Sequence, residues 1–276
     1  MQQRPYTPNE LYRRLHTGSQ TDVEFYLRAV QDAVSVLECG CGWGRISLPL
    51  VQAGYAVTAV DLEGEFLEEL GQTARRLSCA QGLTIHQQDI TCLDLPLAAG
   101  QVQKFDRILI PYNTLYALGG AAKVLQCFQH VARHLKADGE LWFDLYDMDT
   151  FHEQYDPTDD VDDNEPVATW NHEGEVEVFE HTVVLHDTKR LTVTYSARAT
   201  SSHRALGQLT MFHDYLLSTE VEDLLTGAEL ELLGRYDHPL QEGERLSSIQ
   251  ADMVGSNETE TSGPVFYCVG LSNRET

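Results

Sequence analysis

Between residues 34 and 45 the chain reads Val-Ser-Val-Leu-Glu-Cys-Gly-Cys-Gly-Trp-Gly-Arg. Three alternate glycines, Gly40, Gly42 and Gly44, follow the acidic Glu38. Glycine turns with positive φ and puts no Cβ between backbone and ligand. A glycine turn leaving an apolar strand and entering a helix is how an α/β fold brings its backbone against a nucleotide-like molecule. A dinucleotide fingerprint spaces its glycines Gly-x-Gly-x-x-Gly over a pyrophosphate. Here the spacing is Gly-x-Gly-x-Gly, which argues against a nicotinamide dehydrogenase. Two more carboxylates stand in comparable places. Asp61 closes the apolar run 56–60, and Asp89 follows the run 83–86. Such a carboxylate can accept a hydrogen bond from a ligand or cap a turn.

Other chemistries are less supported. The six cysteines, Cys39, Cys41, Cys79, Cys92, Cys127 and Cys268, are scattered, with no second Cys/His pair at zinc spacing. They read as reduced, small buried hydrophobes, and no metal site is expected. Asp159-Asp160-Val161-Asp162-Asp163 lacks calcium-loop spacing and reads as a solvated loop. The formal net charge of −24 argues against a nucleic-acid partner and against docking on an anionic membrane. No run reaches the roughly 20 apolar residues that span a bilayer, and the first residues do not form a secretory signal. The expectation is a cytoplasmic protein, a monomer or homodimer.

The elements that must position these residues alternate. Residues 8–30 read as two helices broken at Thr17-Gly18-Ser19, with Asp22 capping the second. Strands follow at 34–38, 56–60, 83–86, 106–111 and 140–145. Helices lie between them at 44–53, 64–79 and 121–135, with a turn at Asp138-Gly139. Strands alternating with helices at this spacing imply a doubly wound α/β fold with a parallel sheet. Residues 147–166 read as a polar loop. Alternation over 167–215 predicts antiparallel strands, with turns at 187–189 and around Gly207. A capping box at Thr219-Glu220-Val221-Glu222 predicts a helix over 219–226. A strand at 229–236, a polar loop at 238–262 and a strand at 265–271 complete the pattern.

In this order, Glu-x-Gly-x-Gly-x-Gly, the strand-ending Asp61, Asp89-Ile90, the Ile110-Pro111-Tyr112-Asn113-Thr114-Leu115 segment and the Lys136–Leu141 turn resemble class I S-adenosylmethionine-dependent methyltransferases. The resemblance covers residues 34–146 well. It implies a Rossmann-like methyltransferase sheet, with residues 1–146 and 216–276 as the core. Residues 147–215 are then an antiparallel β insertion acting as a lid. It implies S-adenosyl-L-methionine as cofactor. Gly40, Gly42 and Trp43 would pass its methionine part, with Glu38 contacting it directly or through the turn. Asp61 and Leu62 would lie at the ribose, Asp89 and Ile90 at the adenine, and Pro111, Tyr112 and Asn113 beside the methyl. Glu38 and Asp89 could instead be caps, and Trp43 could cover the cofactor or simply pack.

The N-terminal Leu-Tyr-x-x-Leu-His-x-Gly segment and the Pro-Tyr-Asn-Thr-Leu-Tyr-Ala-Leu motif look more specifically like enzymes that methylate amines, amino-sugar N-methyltransferases among them. The family's N-terminal tyrosine corresponds to Tyr12, which by that resemblance would border cofactor and acceptor. Its histidine after strand four corresponds to Tyr116, a departure from the pattern. The implied reaction is in-line displacement onto an amine of a small molecule or peptide. A neutral amine needs orientation and a dry site more than a strong base. Tyr12, Tyr116 and His213 are the catalytic candidates. His172, His203, Asp144 and Tyr146 are further bases for a hydroxyl acceptor. The alternatives are O-methylation of a hydroxyl or carboxylate, and a non-catalytic cofactor-binding scaffold of a biosynthetic complex.

Overall fold

The computed structural model describes residues 4–18, 20–97, 101–154, 165–171, 174–236 and 264–272. The chain divides into two compact units, residues 1–18 with 148–216, and residues 19–147 with 217–276. The smaller unit begins with α1 (Pro8–Leu15).

The larger unit alternates as its hydrophobic pattern requires. Its elements are α2 (Gln20–Ala29), β1 (Ser35–Cys39), α3 (Ser47–Gln52), β2 (Ala56–Asp61), α4 (Gly64–Arg76), β3 (Leu83–Gln87), β4 (Phe105–Ile110), α5 (Ala121–His134) and β5 (Leu135–Tyr146). After the smaller unit come α7 (Ser218–Gly227), β10 (Leu230–Tyr236) and β11 (Pro264–Leu271). The sheet order is β10-β11-β5-β4-β1-β2-β3, with β1 to β5 parallel and β10 and β11 antiparallel. Strand order reverses between β1 and β4, the switch point at which an open α/β sheet binds ligands. Buried Val36, Leu37, Ile108, Leu109 and Ile110 fill the central strands, as expected where both faces are covered. Helix α2 is anchored by aromatic packing, with Phe25 stacked on Phe266 at 3.8 Å and edge-on to Trp142 at 5.5 Å.

At the amino end of the sheet, Asp106 ties β4 to β1 and β5. Its Oδ2 accepts from the amides of Val34 (3.1 Å) and Ser35 (2.8 Å), and its Oδ1 pairs with Lys136 Nζ at 2.7 Å. Burial raises this carboxyl's pKa, but Lys136 and the bonds from Ser35 and Val34 outweigh it and hold it well below the usual range.

The smaller unit holds an antiparallel sheet of β6 (Ala168–Asn171), β7 (Glu175–Leu185), β8 (Arg190–Ala199) and β9 (Ala205–Asp214), in that order, and the short α6 (Asp149–Gln154). Helix α1 lays Leu11 on a core that includes Val176, Val178, Leu206 and Leu209. Tyr6 seals one end of this core, its amide donating to Leu206 O at 2.6 Å and its ring meeting Trp170 edge-on at 5.8 Å.

Several local expectations are corrected. The helix after the glycine turn starts at Ser47, not residue 44, because residues 42–46 are still turning. Asp22 lies inside the first turn of α2 and pairs with Arg45 at 2.5 Å, a contact its reading as a cap does not include. Asp138-Gly139 is absorbed into β5, where the register slips from Phe105↔Leu135 to Arg107↔Glu140. Gly207 is interior to β9, not a turn; a Cβ there would meet Tyr6 O at 2.8 Å, so the glycine permits a close backbone approach. Helix α7 begins one residue before Thr219, and Glu220 reaches back to the amide of Leu217 at 2.9 Å. Residues 149–154 are helical, although the polar composition of 147–166 predicts only loop. The acidic run 159–163 and the segment 238–262 lie outside the described residues.

Candidate active site

The carboxyl ends of β1 to β5 bring the predicted cofactor residues of the larger unit to one edge of the sheet. The amides of Gly40 and Cys41 both donate to Val60 O, at 2.8 and 3.1 Å, which folds the glycine turn back across β2. That places the Gly42 amide 2.7 Å from Asp61 Oδ2, while Asp61 Oδ1 accepts from the Glu63 amide at 2.9 Å. Each carboxylate oxygen keeps a second lone pair, so Asp61 is oriented by backbone and can still accept from two adjacent hydroxyls. Gly42 has φ +53°, and a Cβ there would meet nothing within 4 Å. Its surroundings are open, as the wall of a ligand site must be. Gly40 differs: at φ +76° its Cβ would strike Thr114 Cγ2 at 2.6 Å, so its role is to let the turn touch the segment after β4.

Glu38 ends β1 and is 2% exposed. The Ser47 hydroxyl donates to it. Burial pushes its pKa up to about 8, against the lowering influence of Ser47 and Arg45 and with the negative charge of Asp61 adding to the rise. The residue therefore braces the glycine turn against α3. Trp43 is half-buried and meets Phe66 edge-on at 5.4 Å. Leu62, next to Asp61, is 68% exposed, an uncovered apolar side chain beside a polar anchor. Asp89 caps a short 3-10 turn, its Oδ1 accepting from Thr91 N and Thr91 Oγ1, both at 2.8 Å. Those bonds from Thr91 lower its pKa, so it stays ionised. Oδ2 is left for another donor. Ile90, next in the chain, is buried.

The segment after β4 is the most strained part of this edge. Tyr112 (φ +63°) and Asn113 (φ +54°) are consecutive left-handed residues with side chains. Asp144 on β5 holds them, accepting from Tyr112 N at 2.8 Å and Asn113 N at 3.3 Å, and also from the Tyr26 hydroxyl. Asn113 Oδ1 in turn accepts from Tyr146 N at 2.6 Å. Arg45, paired with Asp22, lies over the Tyr112 ring at 4.8 Å. Tyr116 is buried, and its hydroxyl donates to Tyr146 O at 2.8 Å. Asp144 is corrected as a base: it is 5% exposed and both its oxygens hold backbone amides. Tyr146 is half-exposed.

Residues 36–139 match a family model described as a methyltransferase domain. This stretch is similar to methyltransferase domains. It spans β1 to the start of β5 of the larger unit. A putative methyltransferase of Bacillus subtilis is 29% identical over 133 residues, 48% of this chain and 51% of that protein. The ubiquinone biosynthesis O-methyltransferase of Haemophilus ducreyi is 36% identical over 109 residues, 39% of this chain and 43% of that protein. The chain thus spans about half the length of the curated relatives it matches. Among solved structures, the CcbJ methyltransferase of Streptomyces caelestis gives a TM-score of 0.68 at 17% identity, covering 91% of this chain and 88% of that one. A sugar N-methyltransferase of Streptoalloteichus gives 0.63 at 17% identity, covering 93% and 90%. These structural likenesses reach beyond residues 36–139, along most of the chain, and they show the fold.

The smaller unit carries the remaining candidates. Tyr12 on α1 stacks near His16, ring centroids 4.6 Å apart, and His16 meets Tyr195 edge-on at 5.4 Å. Burial and the neighbouring His213 lower the His16 pKa to about 4. Burial also lowers that of His213, which sits on β9 opposite Leu191. Both imidazoles are therefore neutral at pH 7. His203 lies in an exposed turn with φ +52°, and His172 is outside the described residues. No group of three or more potential ligands among the described residues is arranged to hold a metal ion, and no described helix is long and apolar enough to cross a membrane.

The sequence reading gives no site role to His16, Tyr26, Arg45 or Ser47. Only His16 has a local signal, its i+4 spacing from Tyr12 on α1. The others meet their partners through tertiary contact.

Proposed function

We propose that this chain is an S-adenosylmethionine-dependent methyltransferase that acts on an amine nitrogen of a small molecule. The observation that carries the reading is the arrangement at β1 and β2. An open, left-handed Gly42 donates its amide to Asp61, whose oxygens keep lone pairs for further donors. This suits a ligand that offers hydroxyl donors and needs backbone clearance but no phosphate cradle. Asp61 would hold the ribose, Gly40 and Gly42 would line the amino-acid end, and Leu62 would cover an apolar ring face. The cofactor supplies a methyl already activated on a sulfonium. The protein's task is then to align the acceptor and exclude water. Tyr116 Oη and the neutral His213 imidazole are groups that can accept a proton or hydrogen bond from an amine. Acceptor recognition is assigned to the antiparallel insertion, residues 147–215.

Nitrogen is favoured by the amine-methyltransferase-like motifs and by the sugar N-methyltransferase among the structural neighbours. An O-methyltransferase reading is favoured by the Haemophilus relative. Incubation with S-adenosylmethionine and matched panels of amines and alcohols, read by mass shift, separates them. Methylated amine is the expected product. Methylated hydroxyl alone replaces the first reading with the second. Absence of S-adenosylhomocysteine binding in calorimetry removes both.

A further inference from the structure

Helix α2 reaches the strained segment after β4 by two routes. From its inner face the Tyr26 hydroxyl donates to Asp144, the carboxylate that accepts the amides of Tyr112 and Asn113. From its first turn Asp22 holds Arg45, whose guanidinium lies over the Tyr112 ring at 4.8 Å. The helix itself is fixed to the sheet by Phe25 against Phe266 and Trp142. Each left-handed residue with a side chain costs on the order of 1–3 kcal/mol and persists only where its surroundings over-determine it. Here the surroundings include one carboxylate that accepts both amides, the Arg45 guanidinium over Tyr112 and the Tyr146 amide at Asn113 Oδ1.

We infer that Tyr26 and Asp22 are positioning residues, through which the docking of α2 sets the Tyr112–Asn113 backbone that borders the cofactor. The inference rests on the cofactor reading of this edge. Asp144 can accept both amides and a phenol only while ionised, since a protonated carboxyl turns one oxygen into a donor. The titratable groups that face it are Tyr26 and Asp22 on α2 and Tyr146 on its own strand, and the charge of Arg45 acts on Tyr26. Burial raises the Asp144 pKa, the Tyr26 hydroxyl and the two amides oppose the rise, and Asp22 adds to it. Acidification therefore protonates Asp144 earlier than an ordinary aspartate and releases the segment. The two residues of α2 pull this transition in opposite directions.

The test is the affinity of the full chain for S-adenosylhomocysteine, measured by calorimetry across acid pH, with thermal melts as a check on folding. Wild type binds at neutral pH and loses affinity on the acid side. Tyr26→Phe removes a donor to the charged form and moves that loss about one pH unit upward. Asp22→Asn removes a facing negative charge and moves it downward. Asp144→Asn flattens the acid limb and weakens binding about tenfold throughout. A Tyr26→Phe protein that melts earlier but keeps the wild-type curve makes Tyr26 a packing residue and overturns the inference. If Tyr26→Phe does not fold, Asp22→Asn decides: an unmoved curve overturns the inference and a downward shift supports it. A wild type that binds at no pH overturns the cofactor reading, and this inference with it.

Discussion

The two ends of the parallel sheet solve the same problem with opposite electrostatics. At the amino end, Asp106 accepts two amides and a serine hydroxyl and stays easily ionised, because Lys136 supplies a cation and water reaches the group. At the carboxyl end, Asp144 and Glu38 also accept hydrogen bonds, yet burial pushes both pKa values up. The difference is desolvation that neighbouring hydrogen bonds and, at Glu38, the charge of Arg45 do not offset. By linkage, the amino end contributes stability above the unfolded aspartate pKa, and that stability is lost as pH falls through the lowered folded value. The carboxyl end does the reverse. Its groups bind protons more tightly when folded, so stability falls as pH rises from the unfolded pKa towards the folded one, about 8 for Glu38. One end is built to hold the sheet, and the other carries an energetic cost at the edge where we propose the cofactor binds.

The sharpest way to break this division is to remove one aspartate at each end. Asp61→Ala should weaken S-adenosylhomocysteine by about 2–3 kcal/mol, as expected when hydrogen bonds to a charged acceptor are lost. Its unfolding free energy should fall less than that of Asp106→Ala, since the Gly42 and Glu63 amides lose a partner but no paired lysine does. Asp106→Ala should lower unfolding free energy by roughly 2 kcal/mol, since two amides and Lys136 lose their partner. It should leave affinity within twofold. Calorimetry and denaturant titration of both variants would undo the comparison if each lost both properties.

The same division explains what was legible beforehand. The strands and helices of the larger unit follow local hydrophobic periodicity, so their order is readable, as are Asp61 and Asp89 at the strand ends. Asp144 is not readable as a hub. Its role depends on Tyr112 and Asn113 adopting left-handed backbone 31 and 32 residues earlier in the chain, and on Tyr26 arriving from α2. Gly207 looks like a turn because glycine usually is one, and the Tyr6 backbone that crowds it lies two hundred residues away. The helix at 149–154 lacks an apolar stripe, and the polar composition of 147–166 hides it. Long-range polar contacts and close backbone approaches leave no period in a sequence.

A pH series sharpens the electrostatic half of the comparison. Glu38 keeps its proton in the folded state up to about pH 8 and loses it near pH 4.5 when unfolded. Between these values it makes stability fall with rising pH, by at most about 1.4 kcal/mol per pH unit. Glu38→Gln keeps an acceptor for Ser47 and has no proton to lose. Its unfolding free energy should match wild type near pH 5 and exceed it progressively towards pH 8. A parallel decline in both proteins would assign the slope to another group.

The smallest expected effect separates backbone strain from ligand clearance. Gly42 and Gly54 both have positive φ, +53° and +97°, and a Cβ at either would meet nothing within 4 Å. Alanine at either position strains the backbone by about 1 kcal/mol or more. Gly54 only ends the turn after α3, its amide donating to Val51 O at 3.0 Å. Gly54→Ala should therefore cost stability alone. At Gly42 the added methyl points into the space assigned to the cofactor, and the Asp61 bond depends on the position of that amide. Gly42→Ala should lose similar stability and, in addition, several-fold in S-adenosylhomocysteine affinity. If the two variants lose affinity equally, the weakening comes from general loosening of the sheet edge, and Gly42 has no special place beside the ligand.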